Sequence, residues 1–360
     1  MNNSRLQDVR RILSQKDTET ILMTQQKNVS WFIGGRTHIN IASEPSCCFV
    51  LVTSDECVLI VNNIEAKRMI DEELASDIAN EITDTKVWNW YEPHTRDTII
   101  QTLTAGKSIK TDVELENDFL EIRSIIPDSR LDELRKLGVL TAQAIEQTAK
   151  DIQQGDSEYK IAGKLAFRCY ERELDPVVNL IAVDERAFLR RHPLPTSKQL
   201  DTYAMLVVCA RKDGLIASAT RLVHFGEISE EIKQKHEAVV TIDAQIIAAT
   251  KSGTSLTHLY EDLKQYYHAS GFGEEYQFHH QGGLTGYATR ERLSTPSEKL
   301  KVKNGQLYAW NPTIAGVKSE DTILVQNQQA EIITVTDEFP SIDIEVDGKV
   351  YQRPAILQRY

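Results

Sequence analysis

No stretch of this sequence approaches the ~18 consecutive apolar residues that a membrane-spanning helix needs. The opening residues, MNNSRLQDVRRILSQKD, lack the apolar core of a secretory leader. Positive charge is in short supply: 41 Lys and Arg stand against 53 Asp and Glu, a net charge of −12. That balance argues against a chain that wraps polyanionic nucleic acid or lies on an anionic membrane. Cysteine is sparse and odd in number (Cys47, Cys48, Cys57, Cys169, Cys209), with no C-x-x-C pair. A disulfide framework and a structural zinc site are thereby disfavoured, and reduced thiols in a cytoplasmic protein are expected. With 10 Pro and 17 Gly in 360 residues, low-complexity disorder is excluded as well. What remains is an ordinary globular composition, long enough for two domains that each bury a core.

The first third alternates strands and helices. Residues 5–15 form an amphipathic pattern, 19–24 a short buried strand, and 48–52 with 57–61 a hairpin around the polar turn Thr53-Ser54-Asp55-Glu56. A helix is expected near 64–74, with Asp71-Glu72-Glu73 as its solvated face, and a strand at 86–91. These make a small α/β domain over residues 1–125. At Ile126-Pro127-Asp128 the texture changes. A long helix follows, with Asp128 or Ser129 as N-cap and Leu131, Leu134, Thr141, Ile145, Thr148 and Ile152 on one face. Gly155 is expected to end it as the C′ residue, and Ser157 to cap a second helix. The pattern returns: Ser229 opens a helix carrying Ile232, Val239, Ile242 and Ile246, Gly253 ends it, and Ser255 starts another. Apolar strands follow each pair, at 203–210 and 308–315, both opening with Tyr-Ala. This is a degenerate internal duplication. It predicts a two-fold pseudo-symmetric α/β sandwich with a central cleft over residues 126–360.

Two segments carry unusual chemistry. In 278–291, adjacent His279 and His280 precede Gly282-Gly283, with Tyr287, Arg290 and Glu291 close behind. In 310–322, Asn311, Thr313, Lys318, Ser319, Glu320 and Asp321 interrupt a strand pattern, and buried polar groups need partners and so tend to mark sites. Four motifs in order resemble one family. They are Gly155-Asp156-Ser157-Glu158, Ala210-Arg211-Lys212-Asp213-Gly214 followed by Thr220-Arg221, the His279-His280-x-Gly turn, and Glu320-Asp321-Thr322. Together they resemble the pita-bread fold of creatinase, aminopeptidase P, prolidase and methionine aminopeptidase. The N-terminal region is similar to the small α/β domain that precedes that fold in creatinase and aminopeptidase P.

The resemblance implies a peptidase centre of two metal ions held by two aspartates, a histidine and two glutamates. On this chain the aspartates fall on Val207 and Ser218 and the first glutamate on Asn311, so only His279 or His280 and Glu320 remain. One carboxylate cannot neutralise two dications that each need about four ligands. No metal and no other cofactor are therefore expected.

Creatinase shares the fold and hydrolyses a C–N bond without metal, by histidine acid–base chemistry. Its catalytic histidine matches His192, which makes His192 the implied general acid/base. Glu320 would orient a water or a cationic nitrogen, or stand as a salt-bridged structural carboxylate, and His279 or His280 would polarise the scissile group. Arg290, aligned with creatinase's R-E, would clamp a substrate carboxylate. Tyr287 would donate to developing charge, or simply pack. Asn311 would contact substrate or, like Ser218, satisfy backbone groups. In a creatinase-like homodimer Arg36, from the turn Gly34-Gly35-Arg36, would reach the other subunit's cleft, or remain a loop residue. Cys209 is a thiol nucleophile or, more plainly, an inert buried cysteine. Three functions follow: a metal-independent hydrolase of a C–N bond, amide or amidino, in a small amino-acid-like substrate; a catalytically inactive homologue that binds a ligand or partner; or an Xaa-Pro-type peptidase with a rearranged metal site.

Overall fold

The computed structural model describes residues 4–360. The chain divides into two compact units between Ser124 and Ile125.

In the first unit, helix Arg5–Gln15 starts from Ser4, whose hydroxyl accepts from the Gln7 N–H in a capping box. A mixed five-stranded sheet runs in the order Asp84–Trp88, Cys57–Asn62, Pro45–Val52, Thr20–Gln25, Ile109–Thr111. The predicted hairpin pairs Val52 with Cys57. Leu22, Leu51, Val58, Ile60 and Trp88 pack on one face of this sheet. The last strand of the hairpin's flank begins at Asp84 and ends at Trp88, leaving Trp90 and Tyr91 exposed before a helix that starts at Pro93. The expected strand at 86–91 was thus placed too late. The expected helix at 64–74 is a short helix, Ala66–Arg68, that widens into a π-turn, Met69–Glu73. Glu73 is not on a solvated face: it is buried, and its carboxylate accepts from the Arg36 backbone N–H (2.8 Å) and from Arg68 Nη1 (3.0 Å). The π-turn folds it beneath Gly35, where a Cβ would lie 2.1 Å from the Glu73 carbonyl oxygen, so that turn requires glycine.

The second unit repeats itself. Ser157 and Ser255 each open a helix by accepting a backbone N–H, from Lys160 and His258. Before each, the glycine expected as a C′ residue lies three residues past the C-cap, since the long helices end at Ile152 and Thr250. Both glycines keep a positive φ (+85° and +98°) because their N–H crosses to a strand-like segment: Gly155 to the Leu200 carbonyl (2.7 Å), Gly253 to the Val302 carbonyl (2.8 Å). Ser157 bridges Gln199, and Ser255 bridges Lys301. The same crossing thus occurs twice at matching points, which substantiates the internal duplication. The first long helix, Leu131–Asp151, is entered through a 3-10 turn, Asp128–Arg130, with no side-chain cap; neither Asp128 nor Ser129 caps it.

Two sheets face inward from these helix pairs. One runs Leu357–Arg359, Leu215–Phe225, Tyr203–Lys212, Asp175–Val183. The other runs Arg292–Leu293, Gly282–Thr285, Leu307–Trp310, Asp321–Gln326, Gln329–Ile332. The strand expected at 308–315 breaks into Leu307–Trp310 and Thr313–Ile314, because Pro312 has no N–H to give the ladder. The sheets meet where the Thr220 N–H donates to the Glu320 carbonyl (3.0 Å) and the Ser218 N–H to Thr322 Oγ1 (2.7 Å). Beside this seam lies a buried chain of alternating charge. Arg221 Nη2 donates to Glu146 (2.8 Å) and Nη1 to Asp321 (3.1 Å), while Arg353 Nη2 donates to both Asp321 and Asp243 (2.6 Å each). Arg353 comes from a C-terminal hairpin, Ser341–Val346 with Lys349–Pro354. It fixes the strand that begins one residue after Glu320.

Candidate active site

The seam aligns the positions singled out in the sequence. Val207 pairs with Thr220, and Thr220 bonds Glu320. Trp310 pairs with both Gly282 and Asp321, so Asn311 lies between Gln281 and Glu320, its N–H donating to the Gln281 carbonyl (3.1 Å). Gly282 is held at φ +106°, and a Cβ there would sit 2.2 Å from the Ala309 carbonyl oxygen. This close approach presents His279 and His280 at the sheet edge.

His192 follows the short helix Glu185–Leu189. Its segment is tied down by the Pro193 carbonyl, which accepts from Ile181, and by Arg191, which donates to Thr313 Oγ1 (3.1 Å) and pairs with Glu275. His192 Nε2 lies 2.9 Å from His279 Nε2, and His280 stacks on His279 with ring centroids 4.4 Å apart. The three histidines are thus brought together, with His192 exposed, His280 half-buried and His279 buried.

Glu320 stands beside them, 1% exposed. Its carboxylate accepts from Arg290 Nη2 (2.9 Å) and Thr220 Oγ1 (2.8 Å) and pairs with Lys318 Nζ (2.9 Å). Burial alone would raise its pKa; the Lys318 ammonium and the Arg290 guanidinium outweigh burial and hold it at about 2. The same burial and the same cations act oppositely on the imidazoles. Burial, then Lys318, pulls His279 down to about 2; burial, then Arg290, pulls His280 to about 4; His192 is lowered by burial and then by Lys318. At neutral pH the cluster therefore holds three neutral imidazoles and one carboxylate clasped by two cations.

A dinuclear centre does not fit this donor set. Val207 offers no ligand atom. The Ser218 hydroxyl donates to Cys209 Sγ (3.1 Å). Asn311 supplies no charge, and Glu320 already neutralises organic cations. The three imidazoles could in principle share a single ion, since their donor nitrogens lie within 4.8 Å of one another. Lys318 and Arg290 oppose a dication there.

Four buried polar atoms in these residues have no hydrogen-bond partner: His279 Nδ1, His280 Nδ1, Arg290 Nε and Asn311 Oδ1. Asn311 therefore does not satisfy backbone through its side-chain oxygen. The Tyr287 hydroxyl is committed to Arg130 Nη1 (2.7 Å). Arg36 pairs with Glu73 of its own unit (2.8 Å). Burial pushes the Cys209 thiol pKa up, which suits an inert thiol and not a nucleophile. Lys318 and Thr220 were not singled out as site residues. The available signal was Lys318 at i−2 from Glu320, which on a strand shares its face.

Residues 132–327 match the model of metallopeptidase family M24. An uncharacterized peptidase of Staphylococcus epidermidis is 19% identical over 356 residues, covering 92% of this chain and 99% of that protein. Another, from Staphylococcus aureus, is 20% identical over 344 residues, covering 89% and 96%. Among solved structures, the prolidase of Pyrococcus horikoshii superposes with a TM-score of 0.77 at 17% identity, over 93% of this chain and 99% of that one. The X-Pro aminopeptidase of Thermotoga maritima gives 0.75 at 15%, over 98% and 99%. The N-terminal domain of the FACT complex subunit SPT16 from chickpea gives 0.70 at 11%, over 92% and 93%. These likenesses establish the pita-bread fold with its preceding α/β domain. Because the family match spans more than half of the sequence and includes His192, His279, His280 and Glu320, this chain belongs to metallopeptidase family M24.

Proposed function

We propose that the protein is a metal-independent hydrolase of a C–N bond, amide or amidino, in a small amino-acid-like substrate, as in creatinase. The observation that carries this is the His192–His279 pair, 2.9 Å apart at Nε2, beside a Glu320 whose charge is already matched by Lys318 and Arg290. His192 is neutral and solvent-accessible, and so suited to act as a base. It takes a proton from water at Nδ1 while its Nε2–H donates to His279. The water oxygen bonds to the substrate carbon, His192 returns the proton to the departing nitrogen, and the C–N bond breaks. His280 is left to polarise the group under attack, Arg290 to clamp a carboxylate, and Asn311 Oδ1 to accept a substrate N–H. A homodimer, with Arg36 serving the partner's cleft, is part of this proposal; size-exclusion chromatography with light scattering tests it.

Screening guanidino and N-acyl amino acids for turnover tests the reading. A His192→Ala variant of an active preparation is expected to lose at least ~100-fold in kcat; an unchanged kcat removes the role given to that residue. A second reading, a catalytically inactive binding protein, is favoured by the uncharged Val207, Ser218 and Asn311 at three of the five ligand positions. Ligand stabilisation without turnover of any member of that panel would select it. A rearranged metal site has the least support, because two fixed cations stand among its would-be ligands.

A further inference from the structure

We propose that Lys318 is a ligand-binding residue, and that with Arg290 it makes the cleft a receptor for a small monoanionic carboxylate that also carries an N–H. This rests on the cleft being the functional site, as proposed above, but not on turnover.

The charges of the cleft do not balance. Glu320 supplies one negative charge, and Lys318 and Arg290 supply two positive ones within 2.9 Å of it. The neighbouring charges are occupied elsewhere. Arg191 pairs with Glu275, Asp321 is held between Arg221 and Arg353, and Glu291, which accepts from the Tyr287 N–H (3.1 Å), forms no ion pair with Lys318 or Arg290. One positive charge is left in a place where Lys318 is 5% exposed, and a buried uncompensated cation is costly unless something pairs with it.

The hydrogen bonds tell the same story. Arg290 gives Nη1 to the Thr289 carbonyl (2.6 Å) and Nη2 to Glu320, but its buried Nε has no acceptor. An ammonium has three N–H donors, and Glu320 is the acceptor found for Lys318. These are donors waiting for an anion. One ladder position across from Glu320, Asn311 Oδ1 is a buried acceptor without a donor, which calls for an N–H on the same ligand. N-acyl and guanidino acids carry both groups. Of the residues gathered here, His192 is exposed and His280 half-buried. In family terms, the ligand brings the negative charge that the missing carboxylates would have supplied, and it meets ammonium and guanidinium instead of metal.

The test is calorimetric titration of the full chain with N-acetylglycine and with N-acetylglycinamide, which keeps the N–H and removes the charge. The acid is expected to bind at least tenfold more tightly than the amide. Lys318→Met should weaken the acid at least tenfold and move the amide less than twofold, and Lys318→Arg should restore the acid. Lys318→Gln, which keeps an N–H for Glu320 and loses only the charge, should show the same loss, and a urea midpoint close to that of the wild type guards against a folding defect. Equal binding of acid and amide, wild-type acid affinity in Lys318→Gln, or no binding by N-acetylglycine, hippurate or guanidinoacetate at millimolar concentration would each overturn the proposal. Acid binding without hydrolysis of any of them would instead defeat the hydrolase reading and leave this one standing.

Discussion

At the scale of single residues, protonation is set by who shares burial with whom. His236, far along the helix Glu230–Ala249, is the simplest case: burial lowers its pKa from 6.5 to about 4, against a hydrogen bond to the Pro354 carbonyl that raises it. The unfolded chain takes up a proton below about 6.5 while the folded chain refuses it. The stability this residue contributes is therefore complete above that pH and is lost as pH falls toward 4. Between pH 6.5 and 5 the loss amounts to about 2 kcal/mol. His236→Gln, which keeps a donor for Pro354, should remove that part of the acid destabilisation in urea titrations at pH 7 and pH 5. An unchanged difference would show that the imidazole protonates freely in the fold. The site histidines were legible as a pair with glycine beside them. Which of them meets His192 was not, because the choice depends on a 3-10 turn, Glu275–Phe278, and on the Gly282 approach to Ala309. Lys318 was legible as one of the polar residues of 310–322 but carried no role of its own, because a lysine near acidic residues is normally a solvated one.

At the scale of elements, the serines at 157, 229 and 255 announced their helices, because a serine before an apolar 3.6-residue period has an N–H to cap. The glycines after the long helices were placed too near their ends, since a C′ residue and a glycine that crosses to a strand look alike in sequence. The hairpin Ser341–Val346 with Lys349–Pro354 escaped because its first strand alternates between exposed and half-buried residues and its second buries only Arg353, which leaves little apolar period to see. Yet that hairpin delivers Arg353 to Asp243 and Asp321. Arg353→Met should cost ~3–5 kcal/mol, because it strands buried carboxylates. Adding Asp243→Asn should recover part of it, as read from urea midpoints. A loss under ~1 kcal/mol would mean that the hairpin does not hold the Glu320 strand.

For the whole molecule, motif order and internal duplication carried the fold, and the charge deficit carried the reading of function. The duplicated halves bring Val207, Ser218, Asn311 and Glu320 to one seam, as the peptidase pattern requires, but three of the four no longer carry charge. In the proposed reading, Lys318 and Arg290, both paired with Glu320, take the electrostatic role that dications would otherwise fill. The central claim is that this cleft has exchanged metal for organic cations. It is tested most directly by elemental analysis of the full-length protein purified without chelators and then dialysed against Mn²⁺, Co²⁺ or Zn²⁺. The account predicts well below one equivalent of any of these ions per chain and hydrolysis indifferent to EDTA; two tightly held ions per chain, or activity that EDTA abolishes and metal restores, would contradict it.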